Sequence, residues 1–125
     1  MPGTGHVGNL SYLEVLGIVS GVPVDALKGH LDLVLLAALA EGPAYGYALI
    51  DEIRGRSEGA FDLAEGTVYP ALYRLESAGL LSSNWIVAAG RRRRMYRLTK
   101  RGRTELGKER GEWKRFSDTM KTVVA

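Results

Sequence analysis

Cysteine is absent from this 125-residue chain, and histidine is limited to His6 and His30, which lie far apart in the sequence. Without thiols there is no disulfide framework, no cysteine nucleophile and no cysteine-ligated zinc or iron–sulfur site. The sequence also lacks a histidine paired with a carboxylate motif and a glycine-rich loop that would cradle phosphate. We therefore expect neither an enzyme nor a protein that holds a metal or a cofactor.

Long hydrophobic runs are missing as well. The longest uninterrupted apolar stretch, residues 33–40, has eight residues, whereas a membrane-spanning helix needs about 20. The first nine residues contain no lysine or arginine and so lack the basic region of a secretory signal. These features predict a cytoplasmic protein without a membrane partner, with a single small core.

Positive charge is scarce in most of the chain and concentrated at its end. Residues 1–90 carry four basic and ten acidic side chains, a net charge of −6, whereas residues 91–125 carry thirteen basic and four acidic side chains, a net charge of +9. Scattered charge would serve solubility equally well, so the concentration in one stretch predicts a polyanionic partner. The alternative is a basic tail that is only solvated.

Hydrophobic periodicity predicts three helices and then a β-hairpin. The helices are expected at about residues 31–41, 45–56 and 67–78, because glycine or proline follows each of them. Two short strands, residues 85–87 and 95–98, flank a predicted turn over residues 89–94. This is the element order of a winged helix-turn-helix, in which the third helix enters the major groove of DNA and the hairpin reaches along the backbone.

Capping residues predict where the third helix and a last helix begin. Thr67 is the predicted N-cap of the third helix, which would place Pro70 in its tolerant first turn. Thr99 is the predicted N-cap of a last helix that continues to about Val123.

The third predicted helix has one apolar and one polar face. Val68, Leu72 and Leu75 cluster on the side that we expect to be buried. The opposite side carries groups that suit phosphates or base edges, and Arg74 has the fork geometry to read a guanine. The residues of this face are Thr67, Pro70, Tyr73, Arg74 and Ser77. The alternative is an ordinary solvent-facing surface.

The predicted hairpin turn ends in four consecutive arginines, Arg91, Arg92, Arg93 and Arg94. Like charges at contact distance repel, so this run is costly unless an anion lies near. Strand alternation sends Arg91 and Arg93 to one face and Arg92 and Arg94 to the other, so about two of them would touch DNA at once. The alternatives are a solubilising wing or an RNA contact.

Three motifs resemble the PadR family of bacterial transcriptional regulators, in family order and spacing. They are GPAYGY at residues 42–47, GTVYPALYRLESAGL at 66–80 and YRLTKRG at 96–102. The resemblance covers about residues 31–122. It implies a winged-helix DNA-binding domain with a C-terminal dimerisation helix, acting as a homodimeric repressor that a small ligand releases. It also implies that Tyr47, Thr67 and Tyr69 lie at or near DNA.

The last predicted helix carries a coiled-coil-like apolar seam that only Glu109 interrupts. Because a monomer offers no obvious surface to bury these side chains together, we expect a homodimer. The seam residues are Leu106, Trp113, Phe116, Met120 and Val123. A rival role for Trp113 is a platform for a small aromatic or apolar effector, since multidrug sensors of the PadR family use a tryptophan on this helix.

The expected fold class is therefore mainly α with a small β-hairpin: a winged helix-turn-helix plus a C-terminal dimerisation helix. We divide the chain into an N-terminal extension (residues 1–30), the winged helix-turn-helix (31–98) and the dimerisation helix (99–125). The extension lacks basic residues before Lys28, which argues against an arm on DNA.

The predicted function is sequence-specific regulation of transcription at a pseudo-palindromic operator in double-stranded DNA, with half-sites roughly 34 Å apart. The alternatives are a winged helix that contacts only proteins, and a small-molecule sensor with a secondary DNA role.

Overall fold

The computed structural model describes Leu27 and residues 29–125. Four α-helices and a three-stranded antiparallel sheet make up this part of the chain, which confirms the mainly helical winged-helix fold. In chain order the elements are α1 (Leu31–Leu39), β1 (Ala44–Tyr45), α2 (Gly46–Arg56), α3 (Glu65–Ser77), β2 (Leu81–Ala88), β3 (Arg91–Leu98) and α4 (Lys100–Val124).

The core lies where the first three helices meet. Leu35 and Leu36 of α1 are completely buried, and they share one apolar cluster with Leu49 of α2 and with Leu72 and Leu75 of α3. Burying a leucine side chain contributes about 1.5–3 kcal/mol relative to leaving it exposed, so this cluster fixes how α3 sits on the body.

The predicted extension over residues 1–30 lies outside the described residues except for Leu27, Gly29 and His30. Leu27 is 7% exposed and belongs to the core cluster. The core therefore includes a residue that the sequence analysis assigned to the extension.

Helix α3 begins earlier than predicted. Its N-cap is Ala64, without a side-chain cap, so the prediction that Thr67 caps the helix is wrong. Glu65 occupies the first turn, where a carboxylate is favoured by the helix dipole. Pro70 consequently lies inside the helix, beyond the first turn, where its missing N–H costs α3 one backbone hydrogen bond.

The hairpin is longer and tighter than predicted. Strands β2 and β3 pair from Leu81 with Leu98 to Ala88 with Arg91, so only Ala89 and Gly90 form the turn. Both turn residues have a positive φ, 53° and 74°, as a two-residue hairpin of the I′ type requires. The four arginines are thus strand residues, and the prediction that they form the turn itself is wrong.

Three further contacts fix the sheet, the start of α4 and its packing on the body. The two-residue strand β1 pairs with β3, Ala44 opposite Tyr96 and Tyr45 opposite Met95. Thr99 caps α4 as predicted, because its Oγ1 accepts a hydrogen bond of 3.0 Å from the Gly102 N–H. Gly102 lies against the Leu80 carbonyl, where a Cβ atom would overlap it, so α4 approaches the end of α3 closely.

Candidate nucleic-acid interface

An open cleft of about 320 Å³ lies between the hairpin and the start of α2. We call β2, β3 and their turn the wing. The cleft brings together aromatic rings from β1, α2, α3 and the wing with the guanidinium groups of β3. Its lining residues are Tyr45, Gly46, Tyr47, Tyr69, Trp85, Arg91, Arg92, Arg93, Arg94 and Tyr96.

Arg93 lies over two stacked tyrosines. The rings of Tyr45 and Tyr47 are nearly parallel, with centroids 5.8 Å apart and an angle of 7° between their planes. The Arg93 Cζ atom is 4.7 Å from the centroid of the Tyr47 ring and 5.8 Å from that of Tyr45. A guanidinium over aromatic faces keeps its charge and is oriented by them. Arg93 is therefore a cation held beside the N-terminus of α2.

Arg94 is tied to α3 by a polar network. Its Nε donates a 2.7 Å hydrogen bond to Ser83 Oγ, which in turn donates to the Glu76 carboxylate at 2.8 Å. Its Nη2 lies 3.8 Å from Glu76 Oε2. The predicted DNA contact of Arg94 is not supported by this arrangement, because its charge already faces a carboxylate; Arg94 joins the wing to α3.

Tyr69 packs its ring against the backbone at the start of α2. A Cβ atom at Gly46 would lie 2.5 Å from Tyr69 Cε1, so only glycine admits this approach. Burial raises the pKa of Tyr69, with the Glu65 charge adding to the rise, while Arg93 and a hydrogen bond from the Tyr47 backbone oppose it. The residue is still 38% exposed, and it lines the cleft.

The polar face of α3 is exposed as predicted. Val68, Leu72 and Leu75 are at most 1% exposed, which confirms the apolar side. On the other side Tyr73 is 73% exposed. Thr67 is half-buried, and Arg74 and Ser77 are exposed.

The guanidinium group of Arg74 forms a bidentate ion pair with a carboxylate. Its Nη1 and Nη2 donate hydrogen bonds of 2.9 and 2.8 Å to the two oxygens of Asp32 on α1. These hydrogen bonds and the Asp32 charge raise the pKa of Arg74 above its ordinary value. Arg74 could bind a guanine only by giving up a bidentate partner of the same geometry.

We expect Arg74→Ala and Asp32→Ala to separate the two roles of this arginine. If Arg74 reads a base, Arg74→Ala costs about 1–3 kcal/mol at one position of each half-site, and Asp32→Ala leaves that preference intact. Binding of an operator series with single base changes measures this. Equal, sequence-independent losses in both variants would show that the pair only holds α3 on α1.

Several lining residues of the cleft are not among the predicted site residues, and Tyr45 and Trp85 are the two of them that place a ring under an arginine. Tyr45 was placed inside the second helix, because a two-residue strand is too short to show alternation. Trp85 was placed on a strand but given no role. Trp85 lies directly opposite Arg94, and this proximity to the arginine run appears only when the pairing of β2 with β3 is known.

The sequence profile described as the transcriptional regulator PadR-like family matches residues 35–108, more than half of the chain. The chain belongs to the PadR-like family of transcriptional regulators. It is 40% identical over 83 residues to the transcriptional regulator Rv3488 of Mycobacterium tuberculosis, an alignment covering 66% of this chain and 75% of that protein.

Solved structures agree with this membership. A transcriptional regulator from Clostridium thermocellum superposes with a TM-score of 0.75 at 30% identity, covering 81% of this chain and 99% of that one. A PadR family transcription regulator from Clostridium difficile R20291 gives a TM-score of 0.69 at 34% identity, covering 78% of this chain and 100% of that one. The family and these relatives are regulators of transcription, which confirms that the chain is not an enzyme.

Helix α4 of this PadR-like regulator carries an apolar face that stays largely exposed in the part of the chain that the structure describes. Trp113, Phe116 and Met120 are 46%, 53% and 44% exposed, and Val123 is 75% exposed. Leu106, by contrast, is 3% exposed and lies in the core of its own chain. The prediction that Leu106 belongs to a dimer seam is wrong, because the heptad position that it occupies is already buried by the same chain. Among the described helices, none has the length and hydropathy that crossing a membrane requires.

A small cleft of about 240 Å³ adjoins the start of this apolar face. The His30 ring packs edge-on against Trp113, with centroids 5.4 Å apart, and Phe116 lies 6.0 Å from Trp113. Glu109 and Glu112 complete the rim. The cleft thus joins aromatic rings to carboxylates.

Glu109, at the rim of this cleft, is an acid with a strongly raised pKa. Burial raises its pKa to about 7, and a hydrogen bond with Glu105, together with the negative charges of Glu105, Asp32 and Glu112, acts in the same direction. The folded protein therefore binds a proton more tightly than the unfolded chain does. Stability from this group is present at low pH and is lost as the pH rises through about 5 to 7.

We expect Glu109→Gln to remove part of this pH dependence. At pH 4 the variant and the wild type should be equally stable. At pH 8 the variant should be more stable by about 1–2 kcal/mol, because it avoids burying a charged carboxylate, a cost that solvent reduces at this partly exposed site. Urea unfolding at both pH values and one protein concentration measures the difference. Glu41→Gln, in the turn that follows α1 and outside the cleft beside Trp113, is the control and should gain nothing. A gain of equal size at both pH values would contradict the assignment.

Proposed function

We propose that this PadR-like regulator binds double-stranded DNA as a homodimer, with α3 in the major groove and the wing along the phosphate backbone. The observation that carries the proposal is the cleft between wing and α2. In it Arg91 and Arg92 are exposed, and Arg93 lies over Tyr47 without an acidic partner among the described residues. Unpaired guanidinium groups beside the start of a helix favour phosphate.

The DNA side of the proposal uses two kinds of residue. We assign the phosphate contacts to Arg91, Arg92 and Arg93. Tyr47 and Tyr69 line the same cleft. We assign the base contacts to Thr67, Tyr73 and Ser77 on the polar face of α3. Tyr73 and Ser77 are exposed there, and Thr67 is half-buried. Arg74 joins them only after releasing Asp32.

The dimer rests on α4. Its second half presents Trp113, Phe116 and Met120 to solvent, each of them about half-exposed. A contiguous apolar face of this kind favours a protein interface. In a two-fold symmetric dimer, the α4 helices of both subunits bury this face against each other. Two recognition helices then meet successive turns of DNA, and the operator is a pseudo-palindrome with half-sites roughly 34 Å apart.

The repressor role and its release by a small ligand are part of the same proposal. The cleft beside Trp113 supports an effector site because it offers an aromatic wall of the right kind for a flat apolar molecule. Since the cleft adjoins the apolar face of α4, a ligand bound there would change how two copies pack.

The test is fluorescence anisotropy with a labelled fragment from upstream of the coding region of this protein, against a scrambled fragment at two salt concentrations. We expect binding of the upstream fragment to survive the higher salt and binding of the scrambled fragment to be lost. A parallel selection from random duplexes should enrich a pseudo-palindrome. Equal, salt-sensitive binding together with no enriched sequence would overturn the proposal in favour of a protein partner.

A further inference from the structure

Trp85 is a large aromatic that the core does not use. It is 53% exposed on β2, beyond the point where Leu81 and Tyr96 close the apolar cluster. Val87, the next residue on the same face of the strand, is 72% exposed. Core packing among the described residues therefore does not account for a tryptophan at this position.

Two guanidinium groups lie over the Trp85 ring. The Arg92 Cζ atom is 4.4 Å from the ring centroid and the Arg94 Cζ atom is 5.0 Å from it. The register explains both contacts, because Arg94 is directly opposite Trp85 and Arg92 is its diagonal neighbour on the same face.

The two arginines differ in what neutralises them. Arg94 is held by Ser83, at 2.7 Å, and faces the Glu76 carboxylate. Arg92 has no ion pair within the described part of the chain, and its side chain is exposed. Arg94 is thus an anchored cation, whereas Arg92 carries a charge that is free to meet a phosphate.

A free arginine side chain loses much rotational freedom when it binds, and restraining it beforehand reduces that loss. We propose that Trp85 is a positioning residue of the wing: stacked on the anchored Arg94, its indole holds the Arg92 guanidinium in place for a DNA phosphate. This inference rests on the proposed DNA-binding function and adds to it a residue that acts through another.

Arg93 supplies an internal control. It lies on the opposite face of β3 and stacks on Tyr47 at 4.7 Å, so it has its own aromatic support. Removal of the indole should leave the contribution of Arg93 unchanged.

The first experiment measures DNA dissociation constants for the full chain in a double-mutant cycle of Trp85→Leu and Arg92→Ala. We expect each single variant to bind roughly 3–10-fold more weakly and the double variant to bind no more weakly than Arg92→Ala alone. In the matched cycle with Arg93→Ala, the two effects should multiply. Trp85→Phe keeps an aromatic face and should retain most of the affinity.

Independent effects of Trp85→Leu and Arg92→Ala, or no effect of Trp85→Leu, would overturn the positioning role. A second readout needs no DNA. Trp85 and Trp113 are the only tryptophans, so in a Trp113→Phe background acrylamide quenching reports on Trp85 alone. Arg92→Ala should increase that quenching, and unchanged quenching would also overturn the stack. If the wild type binds no DNA at all while quenching changes as expected, the proposed function has failed and the stack has not.

Discussion

Replacing Arg91, Arg92 and Arg93 together with alanine is expected to weaken DNA binding by roughly 100-fold and to make it less sensitive to salt. Each phosphate contact contributes about 0.9 to the slope of log affinity against log salt concentration. If each subunit loses these three contacts, a dimer loses six, and the slope becomes shallower by about 5. Arg94 is left in place because it ties the wing to Glu76 of α3.

The control for this prediction is a triple variant with the same loss of charge elsewhere. Arg103, Lys108 and Arg110 are exposed on α4, and none of them forms an ion pair among the described residues. Their replacement by alanine should leave the salt slope nearly unchanged. Equal slopes for the two triple variants would mean that the wing acts only through net charge, and that it does not contact DNA. Thermal unfolding of both variants checks that the hairpin remains folded.

The helices of this regulator were predictable because their pattern is local. Leu72 and Leu75, three residues apart, both lie on the buried side of α3. Thr99 caps the start of α4 by accepting a hydrogen bond from the N–H of Gly102, three residues later. The hairpin turn was less visible. Ala89 adopts a φ of 53°, a conformation for which asparagine or glycine is the usual sequence signal, so an alanine there gives no sign of a two-residue turn.

The roles of the individual arginines were not predictable, because they depend on partners distant in sequence. Asp32 and Arg74 are 42 residues apart, and no periodicity links them. The run from Arg91 to Arg94 looked uniform in sequence but divides in the structure. Arg93 stacks on tyrosines, Arg92 and Arg94 both stack on Trp85, and Arg94 also faces the Glu76 carboxylate.

The same limit applies to α4. A heptad pattern shows which side of a helix is apolar but not which neighbour covers it. Leu106 is covered by its own chain and Phe116, ten residues later, is not. Helix α4 thus changes from a core element to an exposed one along its length, and any partner must bind the second part.

Phe116→Asp is therefore expected to separate the proposed dimer. The variant places a charge in the middle of the exposed apolar face, where a partner copy would have to bury it without a counter-ion. We expect the dissociation constant of the dimer to rise by roughly 100-fold or more. Sedimentation equilibrium at low micromolar concentration should show a dimer for the wild type and a monomer for the variant. Thr104→Asp adds the same charge on the other side of α4 and should remain a dimer.

The affinity of Phe116→Asp for DNA tests whether operator binding depends on the dimer. A dimer binds its second half-site as an intramolecular event, so its affinity for a two-site operator exceeds that of a monomer by roughly 10²-fold or more. Phe116→Asp should lose this advantage on the full operator and bind a single half-site as well as the wild type does, because the α3 face and the wing are untouched. Equal losses on both DNAs would point to damage in the winged helix itself. An unchanged affinity for the full operator, in a variant shown to be monomeric, would mean that α4 does not set the spacing of the recognition helices.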